Sequence, residues 1–413
     1  MGAIAPLTAA RRWLARCWRE VLLACASVVL TYVLLEIGYR VYQYRTLPDR
    51  LFAAAAAQLP TGANAQDQFV FDAHTGYRYA PDFSGARGAP WYSHWRTNRH
   101  GHVSQFDYPP RKPPGEYRIA VVGDSLTANI TNNVRWTELV EQTLNASPKW
   151  RAAVAGQITR VINFGVDGFG MVQFGAMVRH HVRDFEPDLI VINFIADDIL
   201  RRLRYRNPPD GAADRNETIR AYVRANFLDR IDWLRPYPEL FAATIGGWWN
   251  MPTALPLDAR SLMASQPDFK YARRQDAIAA SAAAVRDMLS LGRRILFLQA
   301  PTVQELEGSP FPEWVGLVDD LARAVPELKV VSMKPRMDKL LDGKRREDRP
   351  DLAGLTWSQL TALKEPQRLE LHRWFYLPDD THYTDYGTTL YAGEVAAYLI
   401  AHAGSWQGKA NSE

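Results

Sequence analysis

The chain has very few cysteines. Only two occur among 413 residues, and both of them, Cys17 and Cys25, lie close to the N-terminus. No pair of cysteines is left downstream from which a disulfide or a thiolate metal site could be built. We therefore expect the bulk of the chain to be compatible with an oxidising compartment without thiol chemistry.

The chain also has little excess charge. Its formal net charge is +4, and the arginines that precede the first acidic residue account for all of it: Arg11, Arg12, Arg16 and Arg19. The remainder of the chain carries as many basic as acidic side chains. This balance argues against a general nucleic-acid binder.

Several motifs that carry known chemistry are missing. The sequence has no Gly-rich phosphate loop, no G-x-S-x-G elbow, and no His-x-x-His or HExxH metal spacing. We therefore expect neither a metal ion nor another cofactor.

One long apolar run lies near the N-terminus. It extends from Val21 to Leu35 without a charge and resumes after Glu36, which gives about 22 residues in total, enough to span a bilayer core. The four arginines before it predict a cytoplasmic N-terminus and place everything after residue 45 outside. Glu36 and Arg40 have the i, i+4 spacing of a helical ion pair near the outer interface.

Two other interpretations of this run are less favourable. A cleaved signal peptide needs a small-residue cleavage site after the apolar core, and "ACAS" (24–27) comes too early in the run. The segment "LLAC" (22–25) resembles a lipoprotein box, but few apolar residues precede Cys25. An uncleaved membrane anchor is the favoured interpretation.

Downstream, buried strands alternate with helical patterns, which is typical of a parallel sheet. The predicted strands cover 119–122, 161–164, 188–194, 294–299 and 328–333. We expect an α/β fold of the flavodoxin-like, three-layer type, with five parallel strands and helices on both faces. The predicted organisation is a cytoplasmic N-terminus and anchor (1–45), a linker with strands and loops (46–113), the α/β domain (114–403) with an insertion at about 200–270, and a tail (404–413).

Candidate catalytic residues lie where these strands end. Ser125 follows the first strand in "GDS", Gly168 follows the second in "NFGVDGFG", and the third is followed by "ADD" (196–198). The segment "LPDDTHYTDYG" (377–387) places His382 just before the last helix. Catalysis by a serine nucleophile needs a base, an orienting acid and donors to the oxyanion, and each has a candidate here.

This order of motifs resembles the SGNH/GDSL hydrolase superfamily. The resemblance covers residues 117–200 and 294–402. Two further segments, "TNRHGH" (97–102) before the first strand and "EIGYR" (36–40) after the apolar run, are similar to membrane-anchored bacterial members.

The resemblance implies a role for each candidate residue. Ser125 would be the nucleophile and His382 the general base, while the backbone N–H groups of Ser125 and Gly168 would form part of the oxyanion hole. The acid that orients the histidine would be Asp380, by the D-x-H spacing, or Asp379, by the D-x-x-H spacing. We favour Asp380, because the whole segment is similar to the first pattern.

The chain departs from the family at one position. The third motif of the family contains an asparagine whose amide donates to the oxyanion, and the matching residue here is Asp197. A carboxylate cannot donate a hydrogen bond unless it is protonated. Losing one oxyanion donor typically costs about 100- to 1,000-fold in turnover. Asp197 and Asp198 could also serve only as helix caps.

An arginine-rich run, "RRLRYR" (201–206), follows directly. It could attract an acidic glycan or a phosphate, but an exposed arginine face on a helix is the commoner case and the one we expect.

As a whole, the resemblance implies a serine esterase or O-acyltransferase. It would be held in the bacterial cytoplasmic membrane by one helix, with its catalytic domain in the periplasm or outside the cell. The expected substrate is an acetyl-type ester on a cell-envelope carbohydrate. The alternative is a non-catalytic glycan-binding or envelope-assembly protein with a degenerate site, which Asp197 favours.

Overall fold

The computed structural model describes residues 5–58, 68–88, 91, 93–201, 203, 220, 240, 274–306, 308, 310–341 and 382–406. In the first helix, side chains are described for residues 17–52. By its internal contacts the chain divides into two compact units, one formed by residues 1–58 and 219–267 and the other by residues 59–218 and 268–413.

The first unit contains one long helix, α1 (Ala5–Gln58). At 1.5 Å per residue it is about 80 Å long, so it exceeds the roughly 30 Å of a bilayer core. Within it, Cys17–Phe52 is the one helix among the described residues that is long and apolar enough to cross a membrane. Its apolar side chains are largely exposed, as expected for a helix that is a signal or an anchor.

Polar contacts occur in the second half of α1. Arg40 Nε lies 2.7 Å from Glu36 Oε1, which confirms the predicted i, i+4 pair. The other carboxylate oxygen of Glu36 accepts a hydrogen bond from the backbone N–H of Leu240 at 2.7 Å. Gln43, Leu47 and Leu51 are buried at consecutive i, i+4 positions. Of the predicted insertion at about 200–270, only residues 200, 201, 203, 220 and 240 are described.

The second unit begins with two antiparallel hairpins. The first pairs β1 (Phe69–Asp72) with β2 (Gly76–Tyr79), and the second pairs β3 (Ser84–Arg87) with β4 (Ser93–Arg96). Tyr77, Tyr79 and Trp95 from these hairpins are buried in the same apolar cluster as one face of the main sheet.

The main sheet has five parallel strands, as predicted. They are β5 (Glu116–Gly123), β6 (Ile158–Gly165), β7 (Leu189–Phe194), β8 (Ile295–Gln299) and β9 (Val330–Ser332). Their spatial order is β6-β5-β7-β8-β9, so the order reverses beside β5. In open α/β sheets, ligands bind at the carboxyl ends of the strands next to such a reversal.

Helices cover both faces of this sheet. In β5, Ala120 and Val122 pack into one apolar cluster, whereas Ile119 and Val121 pack into the other. This alternation follows from the two-residue period of a strand. The described helices of this unit are α2 (Ser125–Ala128), α3 (Trp136–Ala146), α4 (Pro148–Ala153), α5 (Met171–His180), α6 (Asp197–Leu200), α7 (Arg274–Ser290), α8 (Val303–Leu306), α9 (Leu317–Ala324), α10 (Lys334–Leu341) and α11 (Asp385–Ala401). The expected three-layer α/β architecture is therefore confirmed.

Two of the helices are set by local signals. Gly316, whose φ is +71°, separates the turn at 312–314 from α9. The short helix α4 has too few residues for a visible period. It carries local signals instead, because the Ser147 hydroxyl accepts a hydrogen bond from Trp150 N–H and Pro148 occupies the first turn.

Candidate active site

Ser125 lies at the carboxyl end of β5, next to the reversal of strand order. The strand ends at Gly123, and the Asp124 carboxylate caps the following helix by accepting the Leu126 N–H at 2.9 Å. Ser125 is the first residue of α2 and is half-buried. The capped turn thus holds Ser125 at the start of α2, while part of the residue stays accessible to solvent.

Small residues allow this turn to be tight. A Cβ atom at Gly123 would collide with the Thr127 side chain and the Asn193 carbonyl. Thr127 and Asn193 are also hydrogen-bonded to each other, since Asn193 Nδ2 donates to Thr127 Oγ1 at 2.9 Å. Tyr391 of α11 donates to Asn193 Oδ1 at 2.6 Å. The turn that carries the serine is therefore tied to β7 and to the last helix.

His382 contacts the serine directly. Its Nε2 atom lies 2.8 Å from Ser125 Oγ, although the two residues are 257 positions apart. The ring of Trp91, which is 4% exposed, packs edge-on against the imidazole with the ring centroids 5.9 Å apart. The structure thus brings the predicted nucleophile and the predicted base within hydrogen-bond distance.

The backbone around His382 is anchored on both sides. The Tyr383 carbonyl accepts a hydrogen bond from Asn132 Nδ2 at 2.9 Å, and the Tyr383 hydroxyl donates to the Pro301 carbonyl at 2.8 Å. Thr384 caps α11 by accepting the Gly387 N–H. These contacts come from segments that follow β5 and β8. The two candidate orienting acids, Asp379 and Asp380, lie outside the described residues.

Gly168 lies in the loop that follows β6. Its φ of +76° is in the left-handed region that favours glycine. The preceding residue, Asp167, is held by the hairpins at the start of the domain. Tyr77 Oη donates to the Asp167 carbonyl at 2.7 Å, and Arg87 Nη2 lies 3.0 Å from Asp167 Oδ2.

The role of these hairpins was missed in the sequence. The sequence predicts only strands and loops over 46–113 and gives them no role at the site. A buried tyrosine that donates across 90 residues leaves no local pattern, so Tyr77 and Arg87 could not be connected with the Gly168 loop.

Asp197 is paired with an arginine. Arg201 Nη2 and Nε lie 2.6 Å and 2.8 Å from Asp197 Oδ2. Arg201 Nη1 lies 2.6 Å from Asp198 Oδ1 and 3.1 Å from Asp124 Oδ2. Arg201 is 6% exposed, so the expectation of an exposed arginine face was wrong for this residue. The three carboxylates around it provide partners that keep its charge buried.

These contacts also affect protonation. Burial raises the pKa of Asp198 well above its usual range, and the nearby Asp124 and Asp197 carboxylates raise it further, although Arg201 opposes the change. Burial alone would lower the pKa of Arg201, but the three carboxylates outweigh it and raise that pKa well above its usual value. The three carboxylates thus favour a charged arginine.

Asp198 has a further structural role. Its Oδ2 atom accepts the backbone N–H of Ile195 at 2.9 Å. The residue that caps α6 is Ala196, and no side chain makes its capping bond. Among the described residues, no group of three or more His, Cys, Asp or Glu side chains is arranged to hold a metal ion.

A comparison of the sequence with protein-family models agrees with this geometry. Residues 119–239 match the model of the family described as GDSL-like Lipase/Acylhydrolase. The matched segment carries Ser125, Gly168 and Asp197, and it begins within β5. No curated protein matches the chain in sequence.

Several solved structures are similar to this chain at low sequence identity. A lipase/acylhydrolase from Enterococcus faecalis is 12% identical, with 69% of this chain and 96% of that chain covered and a TM-score of 0.35. A catalytic variant of an acetylxylan esterase from Geobacillus stearothermophilus is 12% identical, with 71% and 97% covered and a TM-score of 0.35. A two-domain esterase active on acetylated mannans is 15% identical, with 70% and 50% covered and a TM-score of 0.35.

Proposed function

We propose that the protein is a membrane-anchored serine esterase or O-acyltransferase that works through an acyl-enzyme intermediate. The observation that carries this proposal is the 2.8 Å contact between His382 Nε2 and Ser125 Oγ at the carboxyl edge of the sheet. A serine becomes an effective nucleophile when an adjacent base accepts its proton. The GDSL-like match over residues 119–239 supports the same reaction class.

The reaction begins with proton transfer. Ser125 Oγ gives its proton to His382 Nε2 as it attacks the ester carbonyl carbon, and the carbonyl oxygen becomes an oxyanion. The backbone N–H groups of Ser125 and Gly168 donate to that oxygen. When the intermediate collapses, the bond to the alcohol oxygen breaks, and the alcohol takes the proton from His382. The acyl group remains on Ser125.

The second half of the reaction regenerates the serine. Water or a sugar hydroxyl attacks the acyl carbon while His382 accepts its proton, and His382 then gives that proton to Ser125 Oγ as the bond from the acyl carbon to Oγ breaks. Water as acceptor gives hydrolysis, and a sugar hydroxyl gives transfer. We assign the orientation of the imidazole to Asp380, with Asp379 as the alternative.

The proposed substrate is an acetyl-type ester on a cell-envelope carbohydrate. The arginines before the apolar segment of α1 predict a cytoplasmic N-terminus, so the GDSL-like domain would face the periplasm or the cell exterior. The cysteine-free α/β domain suits that compartment. We propose that α1 stays attached as an anchor in the cytoplasmic membrane.

The test is turnover of p-nitrophenyl acetate by the full chain in detergent. We expect hydrolysis by the parent protein and labelling of Ser125 by a fluorophosphonate probe, with both lost in Ser125→Ala. Ser290→Ala, which changes an exposed serine of α7, is the matched control and should retain both. An O-acetylated polysaccharide with and without an unacetylated oligosaccharide acceptor then separates hydrolysis from transfer.

The second candidate is a non-catalytic glycan-binding or envelope-assembly protein. Asp197 favours it, because a carboxylate stands where the family has an amide donor. A folded parent protein that neither turns over the ester nor reacts with the probe would refute the enzyme and support this candidate.

A further inference from the structure

Arg201 connects the three loops that carry the proposed oxyanion site. Its Nη1 atom donates to the Phe169 carbonyl at 2.7 Å, next to Gly168 in the loop after β6. The same atom lies 3.1 Å from Asp124, next to Ser125 in the turn after β5. Its Nη2 atom lies 2.6 Å from Asp197 in the segment after β7. One side chain thus contacts the immediate neighbour of each proposed backbone donor.

The loop after β6 is shaped around this arginine. A Cβ atom at Gly170 would lie 2.5 Å from Arg201 Cβ and 2.7 Å from the Asp198 carbonyl. Glycine at this position therefore allows the loop to pack directly on Arg201. The packing and the hydrogen bond to Phe169 act together, so both fix the position of the Gly168 N–H.

The positive charge of Arg201 compensates the negative charge of Asp197. An unpaired carboxylate beside a developing oxyanion would raise the energy of the transition state. The two short contacts from Nη2 and Nε to Asp197 Oδ2 offset that negative charge. An arginine suits this task, because its planar fork serves several acceptors and it stays protonated when buried.

We propose that Arg201 is a positioning residue that makes the oxyanion hole work with aspartate at 197. It neutralises Asp197 and holds the backbone donors of Ser125 and Gly168 in register. Two backbone donors then suffice where the family uses an additional side-chain amide. This inference rests on the proposed esterase or acyltransferase function.

The experiment measures kcat and KM for p-nitrophenyl acetate, with the full chain in detergent. We expect Arg201→Gln to lower kcat about 100-fold, comparable to the loss of one oxyanion donor, with KM changed less than about threefold. Arg323→Gln removes a largely exposed arginine that pairs with Asp320 and is the matched control. It should retain the kcat of the parent protein.

The decisive variant is the double change Asp197→Asn with Arg201→Gln. It removes the negative charge and the arginine together and supplies an amide donor at 197. We expect its kcat to exceed that of Arg201→Gln by at least about tenfold. A role in stability alone does not predict this rescue, because the double variant lacks all the contacts of Arg201.

Folding is monitored by circular dichroism melting. If Arg201→Gln does not fold, Arg201→Lys replaces it, since lysine keeps the charge but lacks the fork. We expect about a tenfold lower kcat for Arg201→Lys with KM nearly unchanged. Folded variants at position 201 that keep the parent kcat, or a double variant that is not rescued, would overturn the assignment alone. A folded parent protein without activity would instead refute the proposed function, and the assignment with it.

Discussion

The Nε2 atom of His382 lies 2.8 Å from the Oγ atom of Ser125. The serine follows the first strand of the parallel sheet, and the histidine precedes the last helix. Tyr383, the residue after the histidine, accepts a hydrogen bond from Asn132 and donates one to the Pro301 carbonyl. These two bonds hold His382 in position beside Ser125. The fold therefore sets the distance between the proposed nucleophile and the proposed base.

We expect His382→Gln to lower kcat for p-nitrophenyl acetate by at least ~10³-fold, because glutamine cannot accept the proton of Ser125. The matched control is His94→Gln, which changes an exposed histidine of β4 and should keep the parent rate. Steady-state kinetics of both variants give the comparison. A glutamine variant with the parent rate would show that another group acts as base.

We expect Tyr77→Phe to lower kcat several-fold, because the Asp167 carbonyl loses its 2.7 Å hydrogen bond and the Gly168 loop loses a support. The unfolding free energy should fall by about 1 kcal/mol. Tyr117→Phe is the matched control, since it loses a 2.8 Å hydrogen bond to the Trp406 carbonyl at the opposite end of β5. It should show a similar loss of stability with an unchanged kcat. Equal kcat values for the two variants would contradict the role assigned to Tyr77.

Stability should decrease in acid because of His102. The centroid of the His102 ring lies 4.3 Å from the centroid of the Phe164 ring. Burial, together with the nearby His100 and Arg78 charges, lowers the pKa of His102 from 6.5 to about 3. Below pH 6.5 the unfolded chain binds a proton that the folded chain does not. The free energy of unfolding therefore falls by about 1.4 kcal/mol for each pH unit as the pH is lowered from 6.5 to 3.

The test compares the pH dependence of unfolding for the parent protein and His102→Leu. Leucine does not titrate, so the variant should lose less stability than the parent between pH 6.5 and 4. Parallel curves for the parent and His102→Leu would show that His102 is protonated in the folded state.

We expect the chain to remain in the membrane fraction with its N-terminus intact. The apolar segment within Cys17–Phe52 is long enough to span a bilayer. Alkaline carbonate should leave the protein in the pellet, while detergent should extract it. Mass spectrometry of the purified chain distinguishes this outcome from cleavage near residue 27 or lipidation at Cys25, either of which would show that the helix acts as a signal.

The parallel sheet was predictable because its strands are buried on both faces and appear as uninterrupted apolar runs. The segments "IAVV", "VINF" and "LIVINF" fall within β5, β6 and β7. The positions of Ser125 and Gly168 at strand ends followed from the same pattern. Because the carboxyl ends of parallel strands share one edge, their proximity to each other was also expected.

The contacts of Arg201 could not be predicted in this way. Its partners Asp124, Phe169 and Asp197 belong to three different loops, and only the folded sheet brings those loops together. In the sequence, Arg201 is the first member of an arginine-rich run that is typical of an exposed surface. Local composition therefore gave the wrong environment for Arg201, which the fold buries among carboxylates.

The pairing of Arg201 with three carboxylates restricts the order in which substitutions can accumulate. A chain that already has this arginine accommodates asparagine or aspartate at 197, because Asp124 and Asp198 bind the guanidinium in both cases. A chain without the arginine would bury an unpaired negative charge if aspartate appeared first. In any series of single substitutions that starts from asparagine, the arginine therefore has to precede the aspartate. Glycine at 170 is needed with almost any residue at 201, since a Cβ atom there would collide with the Cβ atom of residue 201 and with the Asp198 carbonyl.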